Sequence, residues 1–485
     1  MISNRIKIFL GVGALLSLFA LSMVAGPEDA KKSRGVKSGG QGGGATVEPA
    51  VVPAYPFNAW LCRPMADGLT VNVLSWSPMA AYLIYGENEK SLNQKTAPQA
   101  LIAGEPKDFV LSKLKPNANY YYQLVYRMNA GAEQRAPVAS FQTQRSAGKA
   151  FTFAIQADSH LDVSTDPKLY QQTLTNVAKD RPDFFIDLGD TSMVDKFGSQ
   201  FKKAEAQYLA QRYYIGNIAH SVPLFMVLGN HDGEVGSRLS GPDSMPIWSV
   251  GMRKKFFPNP ESGGIYTGNV NPDPNAGLLQ DYYAWEWGNA QFIVLDPFWF
   301  SREKNGQDQW SATLGEAQYR WLSTTLEKSK AKFRFVFIHH LVGGLGHDVR
   351  GGARFAPFME WGGKNADGSD GFAQHRPGWP LPLHALFVKH HVSAIFHGHD
   401  HLYAKEDLDG IVYQEVPQPS NPSGGTKSAE DYGYTGVIMG SSGHLRVTVE
   451  SDQAKVEYVH SAVPGVTRSD AVNGNVEHAY VIKPR

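Results

Sequence analysis

Two periodicities divide the chain. Between residues 51 and 146, apolar residues alternate with polar ones in short runs at 69–76, 80–85, 108–111, 120–126 and 138–144, separated by Gly, Pro, Asn and Asp. Period-two alternation bounded by turn residues is the mark of half-buried strands, so this stretch predicts an all-β sandwich. After Gly148 the pattern changes to strand, helix, strand. Nearly continuous apolar runs occur at 151–155, 184–188, 224–228, 333–338 and 392–396. Each ends in polar residues. Helical spacing of apolar residues around 169–177 and 319–326 predicts helices that cover sheet faces. The runs 445–449 and 454–459, on either side of Ser451-Asp452, predict a hairpin completing a sheet.

The first residues have a different pattern. Arg5 and Lys7 precede an apolar run at 8–24, and Ala25 and Gly26 follow it. Basic, apolar and small residues in that order predict an export signal over 1–26. The run is 17 residues, at the lower limit for a membrane span, so an N-terminal anchor is the alternative. Residues 27–50, with Lys-Lys-Ser-Arg and a Gly-Gly-Gln-Gly-Gly-Gly tract, have little to bury and predict a flexible linker. The remaining divisions are the sandwich, 51–146, and a catalytic domain, 147–485.

Composition narrows the chemistry. The 485 residues are 42% hydrophobic and 12% aromatic, enough for a large core. Lys+Arg and Asp+Glu are both 46, so no overall field attracts nucleic acid, and an anionic substrate must be recognised locally. The single cysteine, Cys62, excludes an intramolecular disulfide and a thiolate metal site, whereas 16 histidines direct attention to imidazole and carboxylate chemistry.

That chemistry stands at the ends of the five apolar runs. In order they lead into Asp158-Ser159-His160, Gly189-Asp190, Gly229-Asn230-His231-Asp232, His339-His340 and Gly398-His399-Asp400-His401. In open α/β sheets, sites form beyond the carboxyl ends of strands. In an extended backbone, residues two apart project to the same side, so Asp158 with His160 and His399 with His401 can share a site. Oxygen ligands mixed with imidazoles suit Zn, Mn or Fe. The ligands are too many for one tetrahedral ion and fit a two-metal site with a bridging carboxylate.

The ordered blocks D-x-H, G-D, G-N-H-D, a strand-end His and G-H-x-H resemble those of the calcineurin-like metallophosphoesterases. With the preceding sandwich, which resembles a fibronectin type III module, the chain is similar to the purple acid phosphatase branch. The resemblance implies a catalytic domain of two packed β-sheets flanked by helices, and two divalent or trivalent ions, Fe, Zn or Mn. It further implies Asp158, His160 and His401 on one ion, Asn230, His339 and His399 on the other, and Asp190 between them. His231 is then the general acid, oriented by Asp232, and a metal-bound hydroxide attacks the phosphate ester. The expected protein is an exported acid phosphatase-like phosphomonoesterase acting on a small phosphorylated substrate. A phosphodiesterase or nucleotidase of the same family is the alternative, and a non-catalytic surface-binding protein is the rival from another class.

Several residues depart from the pattern or lie outside it. Met193 stands where the purple acid phosphatases carry a metal-binding Tyr, so the tyrosinate that colours them is expected to be missing. His339-His340 leaves the fourth ligand open, with His339 preferred because it follows the strand directly. The Gly-rich stretch 343–379 contains His347, Arg350, Arg354 and Arg376; it is either a substrate loop, with Arg350 and Arg354 on phosphate, or a surface insertion. Arg253-Lys254-Lys255 reads as a solvated basic run and Asp296 as a strand cap. In the sandwich, Leu114, Pro116 and Tyr120 fit a tyrosine corner, and Trp76 a core aromatic.

Overall fold

The computed structural model describes residues 52–128, 131–162, 164–302, 309–343 and 350–485; the predicted signal and linker lie outside them, as does His347. The alternating N-terminal segment forms strands β1 (Phe57–Cys62), β2 (Gly68–Ser75), β3 (Met79–Gly86), β4 (Lys107–Ser112), β5 (Asn119–Met128) and β6 (Ala139–Gln142). Sheet β1-β2-β4 faces a second sheet built on β3, β5 and β6. Leu61, Val71, Val73, Leu83, Phe109, Tyr120 and Phe141 fill the space between them. The Tyr120 hydroxyl accepts a hydrogen bond from the Lys115 N–H at 3.0 Å, tying the predicted corner.

The strand β1 went unpredicted because both of its faces are covered. Leu61 points into the sandwich, whereas its neighbours Trp60 and Cys62 join the helical layer of the following domain. On β2 the same division separates Val71 and Val73 from Leu74. Trp76, expected in the sandwich core, is only partly buried and packs edge-on against Tyr55 with the helical layer. The two halves therefore share one packed boundary, where Arg212 is fully buried. Arg212 donates to the Asn72 carbonyl of β2 at 2.9 Å, and its guanidinium lies 5.3 Å from the Trp60 ring.

The second half is a four-layer structure. Its first sheet begins with β7 (Phe151–Gln156), β8 (Phe184–Asp187) and β9 (Leu224–Met226), all parallel. Between them lie α1 (Pro167–Asp180) and α2 (Phe201–Ala219), followed by α3 (Met245–Phe256). The second sheet centres on β10 (Tyr283–Trp287), β11 (Ala290–Val294), β12 (Phe333–Phe337), β13 (Ala394–His397), β14 (Tyr403–Leu408) and β15 (Ile411–Glu415), with α4 (Glu316–Lys328) outside it. Strands β16 (Gly443–Val449), β17 (Ala454–His460) and β18 (Val476–Ile482) return to the first sheet, where β16 pairs antiparallel with β7. The predicted hairpin is thus present, extended by the unpredicted β18.

Phe153, Phe184, Phe292, Phe335, Phe337 and Phe396 meet between the sheets, which is why these strands read as continuous apolar runs. Burying an aromatic side chain contributes roughly 1.5–3 kcal/mol each relative to exposure. Helices α1 and α2 cover the first sheet through Tyr170, Leu174, Ile215 and Ile218, and α4 covers the second through Leu322 and Leu326. Asp166 caps α1 by accepting from the Lys168 and Leu169 N–H groups, and Pro167 sets its first turn. This packing leaves the carboxyl ends of five parallel strands, three from one sheet and two from the other, at a common crest.

Candidate metal centre

Beyond three of the five crest strands, β7, β8 and β13, the chain turns sharply. Asp158, His160, Asp190, His399 and His401 all have positive φ, between 52° and 83°. Non-glycine residues adopt this region at a cost, and Asp, Asn and His adopt it more readily than most. The pairs Asp158/His160 and His399/His401 are therefore brought together by left-handed turns, not by the strand pleat that their spacing suggested. Gly189 and Gly229 allow the closest approach: a Cβ on Gly229 would lie 2.0 Å from the Asp190 N, and one on Gly189 2.4 Å from the Gly229 N.

The turns deliver two groups. Ligand atoms of Asp158, His160 and His401 lie within 4.8 Å of one another, as do those of Asp190, His339 and His399. Asn230 Oδ1 is 3.1 Å from His339 Nε2, joining the second group. The groups adjoin, since Asp190 Oδ2 is 3.4 Å from His339 Nε2 and 3.9 Å from His160 Nε2. All seven expected ligands are thus in one place. His339 Nδ1 faces the Leu188 carbonyl at 2.8 Å, which leaves Nε2 directed at Asn230 and Asp190. The His340 ring instead lies edge-on to Phe298, and Nδ1 is 2.8 Å from the Leu341 carbonyl.

The electrostatics are those of a cation site. Burial alone would raise the Asp158 carboxyl, but His160, His339 and His401 hold it well below the ordinary carboxylate range. Asp190 is likewise lowered against its burial, chiefly by His339. Burial disfavours charge on His160 and His339, yet the surrounding carboxylates raise them to about 9 and about 10. Asp158 Oδ1 and His160 Nε2 are buried without a hydrogen-bond partner. A buried carboxylate oxygen without a donor is costly unless something else binds it, and an oxygen and nitrogen ligand set suits the divalent or trivalent ions expected.

His231 is half-exposed at the edge of this set, and its backbone N–H donates to Asp190 Oδ1 at 2.8 Å. Its Nδ1 lies 3.0 Å from Asp195 Oδ2, and Arg238 donates to that same oxygen at 3.0 Å. Burial lowers the imidazole, but Asp195 and Asp190 outweigh it and raise the pKa. Asp232 does not orient His231, contrary to expectation. Its carboxyl turns inward to accept from the N–H groups of Thr191, Ser192 and Gly229, and so braces the two ligand loops against each other. Asp162, also unforeseen, sits 3.5 Å from His160 Nδ1 and is paired with Lys196. Its place in D-x-H-x-D was the available signal; Asp195 had none.

The other candidates have other tasks. Arg350 donates to Asp400 Oδ1 and to the His399 carbonyl, both at 2.9 Å, and stacks on Tyr432. These bonds tie it to the His399–His401 turn. Arg354 packs over Phe355 and lines a cavity with Glu430 and Tyr434 that contains none of the seven ligands. Arg253, read as part of a solvated run, is buried and paired with Glu234. Asp296 caps the turn after β11, as expected, through the Phe298 N–H. Met193 is buried beside the Asp190 loop.

Comparison with known proteins agrees with this geometry. Residues 151–403 match the family model described as calcineurin-like phosphoesterase. The solved structure of PhoD superposes with a TM-score of 0.62 at 14% identity, covering 89% of this chain and 92% of that one. Purple acid phosphatase PPD1 from yellow lupin (Lupinus luteus) seeds superposes with a TM-score of 0.56 at 16% identity, covering 88% of this chain and 74% of that one. The search of curated proteins found no match.

Proposed function

The chain belongs to the calcineurin-like phosphoesterase family, and from that premise we propose that it is an exported, binuclear metal-dependent phosphomonoesterase of the acid-phosphatase type. The observation that carries this reading is the convergence of two His/Asp groups, with a buried carboxylate oxygen lacking any donor, on one crest. Asp158, His160 and His401 would hold one ion, Asn230, His339 and His399 the other, and Asp190 both. Bound there, such ions supply Lewis acidity toward phosphoryl oxygens and make water more acidic. The protein's own contribution lies at His231. Asp195 fixes the ring through Nδ1, which leaves Nε2 to hand a proton to the departing ester oxygen. The raised pKa keeps that proton in place in mildly acidic solution. Export is supported by Arg5, Lys7 and the apolar run after them. The N-terminal β region is a fibronectin III-like structural module in this reading.

The test is hydrolysis by purified protein reconstituted separately with Zn, Mn and Fe, comparing methyl phosphate with dimethyl phosphate. Monoester turnover that requires metal supports the reading; preference for the diester replaces it with the phosphodiesterase alternative, and no turnover with any metal removes it.

A further inference from the structure

A closed ring of hydrogen bonds joins the Asp158–His160 and Gly189–Thr191 turns to the layers beneath them, and its members lie outside the proposed ligand set. Asp187 ends β8, where the register pairs it with Gln156 of β7. Its Oδ1 accepts from the Gly189 N–H at 3.1 Å and the Thr191 hydroxyl at 2.5 Å, so one carboxylate oxygen holds the residues on both sides of Asp190. Its Oδ2 accepts from Gln156 Nε2 at 2.6 Å. The same nitrogen donates to the Tyr170 hydroxyl of α1 at 3.0 Å, and that hydroxyl donates to Gln211 Oε1 of α2 at 3.1 Å. Gln211 Nε2 closes the ring on the Thr191 carbonyl at 2.7 Å. All five residues are buried.

The ring grips two ligand turns at once. Gln211 Nε2 also donates to Ser159 Oγ at 3.0 Å, and Ser159 stands between Asp158 and His160. A single amide nitrogen therefore ties the turn that carries Asp158 and His160 to the turn that carries Asp190. All three of these residues have left-handed backbone conformations, which persist only where the surroundings over-determine them. The bonding pattern also accounts for the acid. Three donors converge on Asp187, so a carboxylate with two acceptor oxygens fits where an amide would set its own NH2 group against one of them. We propose that Asp187 and Gln211 are positioning residues for the metal centre, and that the ring they close fixes the separation of the two ligand turns. The proposal rests on the two-ion reading of the crest.

Metal affinity tests it without any ester. The full chain, freed of metal by chelation, is titrated with zinc against a zinc-binding dye as wild type, Gln211→Met, Thr191→Val and Thr191→Ser, each first shown to be folded by circular dichroism. Gln211→Met keeps the reach of the side chain and removes both grips; it is expected to raise the free zinc at half-saturation roughly 10–100-fold, the usual effect of losing a support behind metal ligands. Thr191→Val removes one donor to Asp187 and should raise it roughly tenfold, whereas Thr191→Ser restores the hydroxyl and should bind as wild type. The Thr191 pair decides the matter if Gln211→Met does not fold. Urea unfolding of the same metal-free proteins isolates a merely structural role: lowered stability with wild-type zinc affinity overturns the proposal, as does Thr191→Ser binding as weakly as Thr191→Val. Two zinc ions held equally well by all four proteins overturn the proposal alone, and a wild type that takes up no zinc removes the two-ion reading with it.

Discussion

Beneath α3 and on the crest of the sheets, acidic and basic side chains are pressed together away from water, with different results. Arg253 and Glu234 are 2% and 1% exposed, and the guanidinium takes both carboxylate oxygens as well as the carbonyls of Leu279 and Gln280. No polar atom of either side chain is left without a partner. On the crest, Asp158 Oδ1 and His160 Nε2 have no hydrogen-bond partner, only ion-pair contacts such as the 3.7 Å between them, and five of the seven proposed ligands have left-handed backbone conformations. Buried charge alone thus marks nothing. The crest differs from the Arg253–Glu234 pair in that a carboxylate oxygen of its own, Asp158 Oδ1, has no hydrogen-bond donor and five of its ligand residues are held in left-handed conformations.

Breaking the crest should have the largest effect. Asp190→Asn is expected to bring phosphomonoester hydrolysis to background, a loss of more than about 10²-fold, and to lower metal content by elemental analysis, while a cooperative melting transition remains. Wild-type turnover with full metal content would remove Asp190 from the site.

His231→Ala should slow alkyl phosphates by roughly 10²–10⁴-fold and nitrophenyl phosphate much less, because an acidic phenol needs little help in leaving. Asp195→Asn should give a smaller loss with the same alkyl bias, whereas Asp232→Asn should act mainly on stability. Equal losses on both ester types would recast His231 as a positioning or charge-stabilising group.

At the structural pair the expectation reverses. Arg253→Met leaves Glu234 buried without its partner and should cost about 3–5 kcal/mol in denaturant unfolding, with kcat per folded molecule unchanged. Adding Glu234→Leu should recover much of that loss. A fall in kcat with stability intact would show that the two regions are not independent.

The smallest effect sharpens the comparison through pH. Burial would raise Asp180, but His444 and Arg446 lower it. A depressed carboxyl stabilises the fold above its unfolded pKa, near 3.9, and loses that contribution as pH falls through its lower folded value. Asp180→Asn should therefore cost about 1 kcal/mol at pH 7, allowing for the exposure of Arg446, and the two proteins should converge in stability toward pH 2. A difference that persists there would assign the effect to packing.

The crest was legible because its residues are chemically distinctive and each follows an apolar strand that both layers cover. Its supports were not. Asp195 lies 36 residues from His231 in sequence, and only the turn at Val194–Phe197 brings them together. Asp232 was misassigned because adjacency in G-N-H-D says nothing of the direction in which its carboxyl turns. In Arg253-Lys254-Lys255, helical rotation buries the first residue and leaves the others partly exposed, which composition alone does not reveal. Helix α2 escaped notice because it is covered on two sides, by the first sheet and by β1, so its apolar residues form no single stripe.

The alternation along β1, with Leu61 facing one core and Trp60 and Cys62 the other, bears on how this protein can be inherited. A free-standing module joins its neighbour through a linker and can be exchanged by recombination. Here a single strand belongs to two interiors, and Gly216 of α2 lies so near Asn58 that a methyl group would come within 2.0 Å of its side-chain nitrogen. Recombination that exchanged the sandwich would strip apolar cover from α2 and oppose two surfaces with no shared history. The N-terminal half is an appendage in sequence order, yet it can diverge only in step with the enzyme it covers.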